Sequence, residues 1–148
     1  MPHATTLSPK ERGFTLVELL IVVGIIGVIT ALAVPNLISS KQAARSSSAV
    51  NSLRIIHSSQ SSYHSARGSY QSLDTLGANG FISDPSLRGG RKEGYNFTLT
   101  LLDNNSRFEV HATPLSAPST SQHYFIDTSG VIRAEPGAPA DADSSPIN

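Results

Sequence analysis

The sequence predicts an α+β fold in which one long N-terminal helix packs on an antiparallel sheet of about four strands. Three observations support this prediction. An apolar run extends from Phe14 to Val34, a helical periodicity continues beyond it, and a period of two appears after Tyr95. The 148 residues are enough for one domain.

The composition excludes several classes of function. The charged fraction is 15% and the formal net charge is zero, so no direct nucleic acid binding is predicted. The chain has no cysteine, which excludes a disulfide framework, a cysteine zinc site and a thiol nucleophile. The apolar residues concentrate before Pro35 and the remainder is polar, which predicts one exported domain with an apolar N-terminal segment.

The apolar run is the first element, and Glu18 is its single charge. As a helix it would measure roughly 31 Å, about the hydrocarbon thickness of a bilayer. A plain transmembrane anchor is one interpretation. A secretory signal peptide is another, because Lys10 and Arg12 are basic and Ala31 to Ala33 has the small-x-small form of a cleavage site. The run is longer than a signal-peptide core, however, and a carboxylate in a bilayer costs about 3 kcal/mol or more, which indicates a functional role for Glu18.

The stretch RGFTLVELLIVVGIIGVITALAVP resembles the N-terminus of type IV pilins and type II secretion pseudopilins. The family pattern is a basic residue and Gly, then Phe, Thr and Leu, a Glu at the fifth position after the Gly, and an apolar stretch that reaches a Pro. The matching residues here are Arg12, Gly13, Phe14, Thr15, Leu16, Glu18 and Pro35. The resemblance implies a pilin fold, with a helix whose first half spans the membrane.

The resemblance also implies specific roles for residues at this junction. A prepilin peptidase would cut between Gly13 and Phe14 and methylate the new amine of Phe14. Glu18 would pair with the Phe14 amine of the neighbouring subunit, since pairing offsets much of the desolvation of two buried charges and fixes the register of the filament. The alternative is that Glu18 pairs only with the amine of its own chain.

Pro35 is predicted to kink the helix and to weaken its preceding turn. The resemblance implies that the helix between Gly24 and Pro35 can melt on assembly. Alternatively, Gly24 and Gly27 simply permit close helix packing in lipid. Beyond Pro35 the helix is predicted to continue to Arg67 and to stop at Gly68. One face carries Ala49, Leu53, Ile56, Gln60 and Tyr63, spaced by four and three residues.

The rest of the chain predicts a connection, a sheet and a tail. The connection contains a short helix near 72–76, and Phe81, Ile82 and Leu87 are expected to hold it to the core. The stretch RGGRKEG in it is predicted to be a solvated loop, or alternatively a filament-surface contact. YNFTLTLL and RFEVHAT alternate around the turn DNNS, and HYFIDTSGVIRA predicts a second hairpin. The predicted segments are the leader 1–13, the membrane half-helix 14–35, the amphipathic half-helix 36–67, the connection 68–94, the sheet 95–134 and a flexible tail 135–148.

No catalytic set, metal site or cofactor is predicted. His57 and His64 are seven residues apart without a neighbouring carboxylate, and no nucleophile elbow is present. Asp103 in LDNNS is the single carboxylate of a possible calcium loop, which favours a plain turn.

The sequence predicts a structural subunit of a type IV pilus that supports adhesion, motility or DNA uptake. The alternative is a type II secretion pseudopilin in a periplasmic pseudopilus. The expected partners are other copies of the chain, the prepilin peptidase, the inner-membrane pilus assembly machinery and, before assembly, the lipid bilayer. The expected locations are the inner membrane before assembly and the extracellular pilus afterwards.

Overall fold

The computed structural model describes residues 13–116 and 121–147. The predicted leader 1–13 therefore lies outside the described residues except for Gly13. Helix α1 is Leu16–Arg67, and the chain divides into two compact units, residues 1–39 and 40–148, with α1 contributing to both.

The first unit contains the apolar half of α1. All of its described residues are exposed. An 18-residue window of the helix has a mean hydropathy of 2.7 and none of it is buried, so α1 is long and apolar enough to cross a membrane. The helix continues through Pro35, whose missing N–H leaves the carbonyl of Ala31 without its usual helical donor. The kink at Pro35 stays a prediction.

In the second unit, α1 buries the face that the sequence predicted. Ala49, Leu53, Ile56, Gln60 and Tyr63 are all buried. This result confirms the predicted amphipathic periodicity, since apolar positions that repeat by three and four lie on one side of a helix.

Gln60 is the polar break in this buried face, and both its amide nitrogen and its amide oxygen are hydrogen-bonded. Its Nε2 donates to the carbonyl of Gln71 at 2.5 Å, and its Oε1 accepts from the N–H of Gln71 at 3.0 Å. Burying an amide without such partners would be costly. The two bonds therefore fix the returning chain against α1 after the helix stops at Gly68, whose φ is +77°.

The connection holds two short helices instead of the one predicted. Helix α2 is Leu73–Ala78, and helix α3 is Pro85–Arg88. Asp84 begins α3 by accepting from the N–H of Ser86, and Pro85 occupies the first turn, where its missing N–H costs nothing. The predicted anchors are confirmed, because Ile82 and Leu87 are buried and Phe81 packs on the core.

The sheet has six antiparallel strands in chain order, two more than predicted. They are β1 Arg91–Lys92, β2 Tyr95–Leu102, β3 Arg107–Pro114, β4 Gln122–Asp127, β5 Arg133–Pro136 and β6 Ser145–Pro146. The two hairpins that the alternation predicted are present as β2–β3 and β4–β5. The strands that were missed, β1 and β6, have two residues each, too few to show a period of two.

The core lies between α1 and one face of the sheet. Val110 pairs with Ile126 and Ala112 pairs with Tyr124, and all four belong to the same buried cluster as Leu53. Phe108 is 1% exposed. The alternate strand residues face away from α1, because successive side chains of a strand point to opposite faces. We call this opposite surface the outer face.

The segment 135–148 was predicted to be a flexible tail, but its described residues are folded back on the outer face. Ala140 is 1% exposed, and its carbonyl lies 3.1 Å from Nδ1 of His111. The ring of His111 contacts that of Phe125, which is buried although it points away from α1. Ser145 then pairs with Ala134 in β5. The composition of this segment has no periodicity, so only tertiary contacts reveal its order.

The turn at the end of this segment is held by Asp141. Its Oδ1 accepts from the backbone N–H of Asp143 and from the N–H and hydroxyl of Ser144, each at 3.0 Å. These hydrogen bonds, that of Asp143 first, hold the pKa of the Asp141 carboxyl below its ordinary value of 3.8.

We expect acidification to loosen this turn. A lowered pKa contributes stability that is complete above 3.8 and is lost as the pH falls through that value towards the folded-state pKa. Hydrogen exchange of the amides of Asp143 and Ser144, measured between neutral pH and about pH 3, should show falling protection. Asp141→Asn should weaken protection already at neutral pH, and Asp143→Asn is the matched control. Equal protection in wild type and Asp141→Asn would contradict this account.

Candidate functional site

The residues that carry the predicted functions surround the start of α1. Thr15 precedes the helix, and its hydroxyl accepts from the N–H of Glu18 at 3.2 Å. Glu18 reaches back, so that its Oε2 accepts from the N–H of Thr15 at 3.0 Å and from the Thr15 hydroxyl at 2.8 Å. This reciprocal arrangement is a capping box, which satisfies donors that a helix start otherwise leaves unpaired. A carboxylate here also complements the positive end of the helix dipole.

The capping box uses one oxygen of the Glu18 carboxylate. Among the described residues, no donor bonds to its Oε1. An ionised carboxylate can accept on both oxygens. The site can therefore hold a helix start and bind a further donor or cation at the same time.

The Gly13–Phe14 bond lies just outside the helix and is open on all described sides. No described heavy atom lies within 4 Å of where a Cβ on Gly13 would be, and Phe14 is 88% exposed. An exposed bond outside a helix is accessible to a peptidase, and glycine at this position leaves room for the backbone to enter a narrow site. Cleavage here would place a charged amine one residue before the capping box.

The helix that follows presents an apolar surface in every direction. Fifteen large apolar side chains between Leu16 and Ile38 are at least 48% exposed. A Cβ added at Gly24 or Gly27 would meet no atom within 4 Å, so contacts inside the single chain do not require glycine there. This surface is suited to lipid or to other apolar helices.

The structure brings Thr15 and Glu18 into hydrogen-bonding contact, and Gly13 and Phe14 immediately precede them in the chain. The predicted pairing of Glu18 with a Phe14 amine and the role of Pro35 stay predictions. The role of Thr15 as a cap was missed. Its signal was present in the sequence, since Thr15 and Glu18 form the S/T-x-x-E spacing before an apolar run.

The other candidate groups do not form a chemical site in the described part of the chain. No group of three or more His, Asp or Glu residues is arranged there to hold a metal ion. Asp103 begins a turn of three left-handed residues, and its Oδ2 accepts from Arg107 at 3.3 Å. His57 and His64 pack against the rings of Phe108 and Tyr70.

The capped helix start, the long apolar helix and the antiparallel sheet together form a pilin-like α+β layout. The family model described as the prokaryotic N-terminal methylation motif matches residues 8–34. The type IV major pilin protein PilA of Myxococcus xanthus is 37% identical over 88 residues, which are 60% of this chain and 39% of that protein.

Type II secretion system core proteins G are also similar. The protein of Escherichia coli K12 is 33% identical over 90 residues, which are 58% of this chain and 61% of that protein. The protein of Vibrio cholerae is 30% identical over 89 residues, which are 58% of this chain and 60% of that protein. The matched segment thus spans less than two thirds of each relative. No solved structure matches the chain. These findings confirm the resemblance to type IV pilins and pseudopilins that the N-terminal residues predicted.

Proposed function

We propose that the chain is a non-enzymatic structural subunit of a type IV pilus, processed at Gly13–Phe14 and polymerised through the apolar half of α1. The observation that carries this proposal is the Glu18 carboxylate at the start of the apolar half of α1, which is otherwise uncharged and fully exposed. Such a helix has no stable place in water. It belongs in a bilayer before assembly and in a helical bundle afterwards.

Assembly into a bundle transfers Glu18 into an environment without water. An isolated carboxylate there is costly, and a paired one is much less so. Cleavage at Gly13–Phe14 supplies the cation, because it makes Phe14 the amino terminus. Oε2 of Glu18 keeps the capping box and Oε1 accepts from the Phe14 amine of a neighbouring subunit. The helices are otherwise aliphatic, so this pair sets their relative register.

The glycines of α1 support close contacts between subunits. Since neither Gly24 nor Gly27 is required by contacts within the chain, their lack of a side chain serves approach by another helix. Pro35 and these glycines lower the local stability of the helix by about 1 to 3 kcal/mol each relative to alanine. The segment from Gly24 to Pro35 is therefore where the helix adjusts on assembly.

A pseudopilin of a type II secretion system is the second candidate. This candidate is supported by the share of each relative that the match covers. The match covers 61% of the E. coli core protein G but 39% of the M. xanthus pilin. In that case the same processed subunit forms a periplasmic filament attached to the inner membrane. The chemistry of Phe14 and Glu18 is the same in both candidates.

Shearing of cells followed by fractionation tests the proposal. A type IV pilus subunit is expected in filaments sheared from the surface, with only a minor pool in the inner membrane. A pseudopilin is expected to remain with the cell envelope. Recovery of the chain only as a monomer, whether released from the cells or retained in the membrane, would contradict both candidates.

A further inference from the structure

We propose that the 40–148 unit of one copy docks on that of another copy through two complementary charged surfaces. The first, the basic edge, consists of Lys41, Arg45, Arg91 and Lys92. The second, the acidic face, consists of Glu109, Asp127, Glu135, Asp141 and Asp143. The inference rests on the proposed function and deepens it, since it names the surfaces by which subunits meet outside the apolar helix.

The basic edge joins α1 to the first strand of the sheet. Lys41 and Arg45 are one helical turn apart and exposed. A Cβ added at Gly94, in the turn after β1, would lie 3.4 Å from Cδ of Arg45, so this arginine packs along the β1–β2 turn. Lys41, Arg45 and Lys92 line one groove.

The charge of the basic edge is only partly neutralised within the chain. Lys92 pairs with Asp84 at 2.8 Å, and the exposed Glu93 lines the same groove. No ion pair among the described residues includes Lys41, Arg45 or Arg91. Four cations thus face two carboxylates, which leaves a net positive surface.

The acidic face lies on the side of the sheet away from the core. Glu109 of β3 is directly opposite Asp127 of β4. Like charges in directly opposed strand positions are destabilising. Asp127 accepts from Ser129, whereas Glu109 has no ion pair or hydrogen bond to another described side chain. A cationic partner from outside would relieve the repulsion that this pair imposes on the fold.

The C-terminal segment that folds back on the outer face extends this negative surface. Glu135 is on β5 opposite His123, and Asp141 and Asp143 are exposed on the turn before β6. The arginines on this face are Arg133, whose Nη1 donates to the carbonyl of Ser144, and Arg107 of β3, which pairs with Asp103 at 3.3 Å. The five carboxylates of the acidic face therefore outnumber its two arginines, one of which is already paired.

The two surfaces are positioned to connect copies. The basic edge includes β1, at one edge of the sheet, and the acidic face spans β3 to the turn before β6. A contact between two different surfaces is heterologous, and repetition of such a contact builds an open helical filament. Anionic lipid headgroups would satisfy the basic edge alone, whereas a second copy satisfies both surfaces. The pairing adds specificity and register to the burial provided by α1.

Charge reversal and swap test the docking in cells that assemble the filament. Lys41→Glu with Arg45→Glu should lower the yield of sheared filaments about tenfold, and Glu109→Lys with Asp143→Lys should do the same. The four changes together should restore the yield to within about twofold of wild type. Arg54→Glu with Arg67→Glu, on exposed positions of the same helix, is the matched control and should leave the yield unchanged.

Crosslinking gives a second readout that does not depend on yield. Because the chain has no cysteine, Arg45→Cys with Asp143→Cys introduces the only thiols. A flexible bismaleimide should convert filaments of this variant into a ladder of covalent dimers and larger species. Filaments of Arg54→Cys with Asp143→Cys should stay monomeric.

The outcomes separate the docking from the proposed function. Filaments that form without a ladder, or a charge swap that fails to restore yield, would overturn the docking and leave the proposed function intact. Absence of filaments from the wild type would instead overturn the proposed function. Unchanged filaments, with lost binding of the Lys41→Glu, Arg45→Glu chain to phosphatidylglycerol vesicles, would assign the basic edge to lipid headgroups and also overturn the docking.

Discussion

Glu18→Gln is expected to lower incorporation of the subunit into filaments by about 100-fold or more, while membrane insertion and leader removal stay normal. The reason is that the neutral amide leaves the neighbouring Phe14 amine without a counter-charge in the bundle, a loss of about 3 to 5 kcal/mol. Glutamine can replace glutamate in a capping box, so the helix start survives and the change isolates the charge. The measurement is the amount of variant subunit in sheared filaments relative to the amount of processed subunit in the membrane.

Thr15→Val is the matched variant, because it removes the cap and keeps the charge. Loss of a cap costs about 1 kcal/mol, so incorporation should fall only severalfold. Normal incorporation of Glu18→Gln would contradict the pairing. A larger loss in Thr15→Val than in Glu18→Gln would show that Glu18 acts through the helix start.

Phe108→Ala is expected to destabilise the 40–148 unit by about 3 to 5 kcal/mol. The ring is 1% exposed, and its centroid is 4.9 Å from that of Tyr70 and 6.0 Å from that of His57. Its removal leaves a cavity between α1, the connection and the sheet. The measurement is denaturant unfolding of the full chain in detergent micelles, monitored by circular dichroism. The free energies of unfolding are compared with the same denaturant m-value for both chains.

Val131→Ala is the control for this change. Val131 is 39% exposed in the turn before β5, so its truncation should cost less than about 1 kcal/mol. Similar unfolding free energies for the Phe108→Ala variant and the wild type would contradict the assignment of Phe108 to the core.

The elements that the sequence predicted best are those long enough to show a hydrophobic periodicity. The buried face from Ala49 to Tyr63 and the two main hairpins follow directly from periods of 3.6 and two, because burial selects residues at those spacings. Helix α3 and the strands β1 and β6 are too short to establish a period. Helix α3 nevertheless has a local signal, since Asp84 and Pro85 are a cap and a first-turn residue.

The returning C-terminal segment shows a different limit of sequence analysis. Its Pro, Ala and Asp residues suggest disorder, and its order depends on His111 and Phe125, which lie on other strands. A contact between residues so distant in sequence leaves no local pattern. At the candidate site, by contrast, the roles predicted for Phe14 and Glu18 are implied by the resemblance to pilins, and the cap formed by Thr15 follows from the spacing of the same few residues.

We propose that processing at Gly13–Phe14 creates the amine that Glu18 binds. Mass spectrometry of the subunit in sheared filaments tests it most directly. The expected result is a chain that begins at N-methylated Phe14, with no peptide from 1–13 in the filament fraction. Filaments built from chains that retain the leader would contradict this proposal. So would filaments whose chains begin after Ala33, as expected if a signal peptidase had cut there.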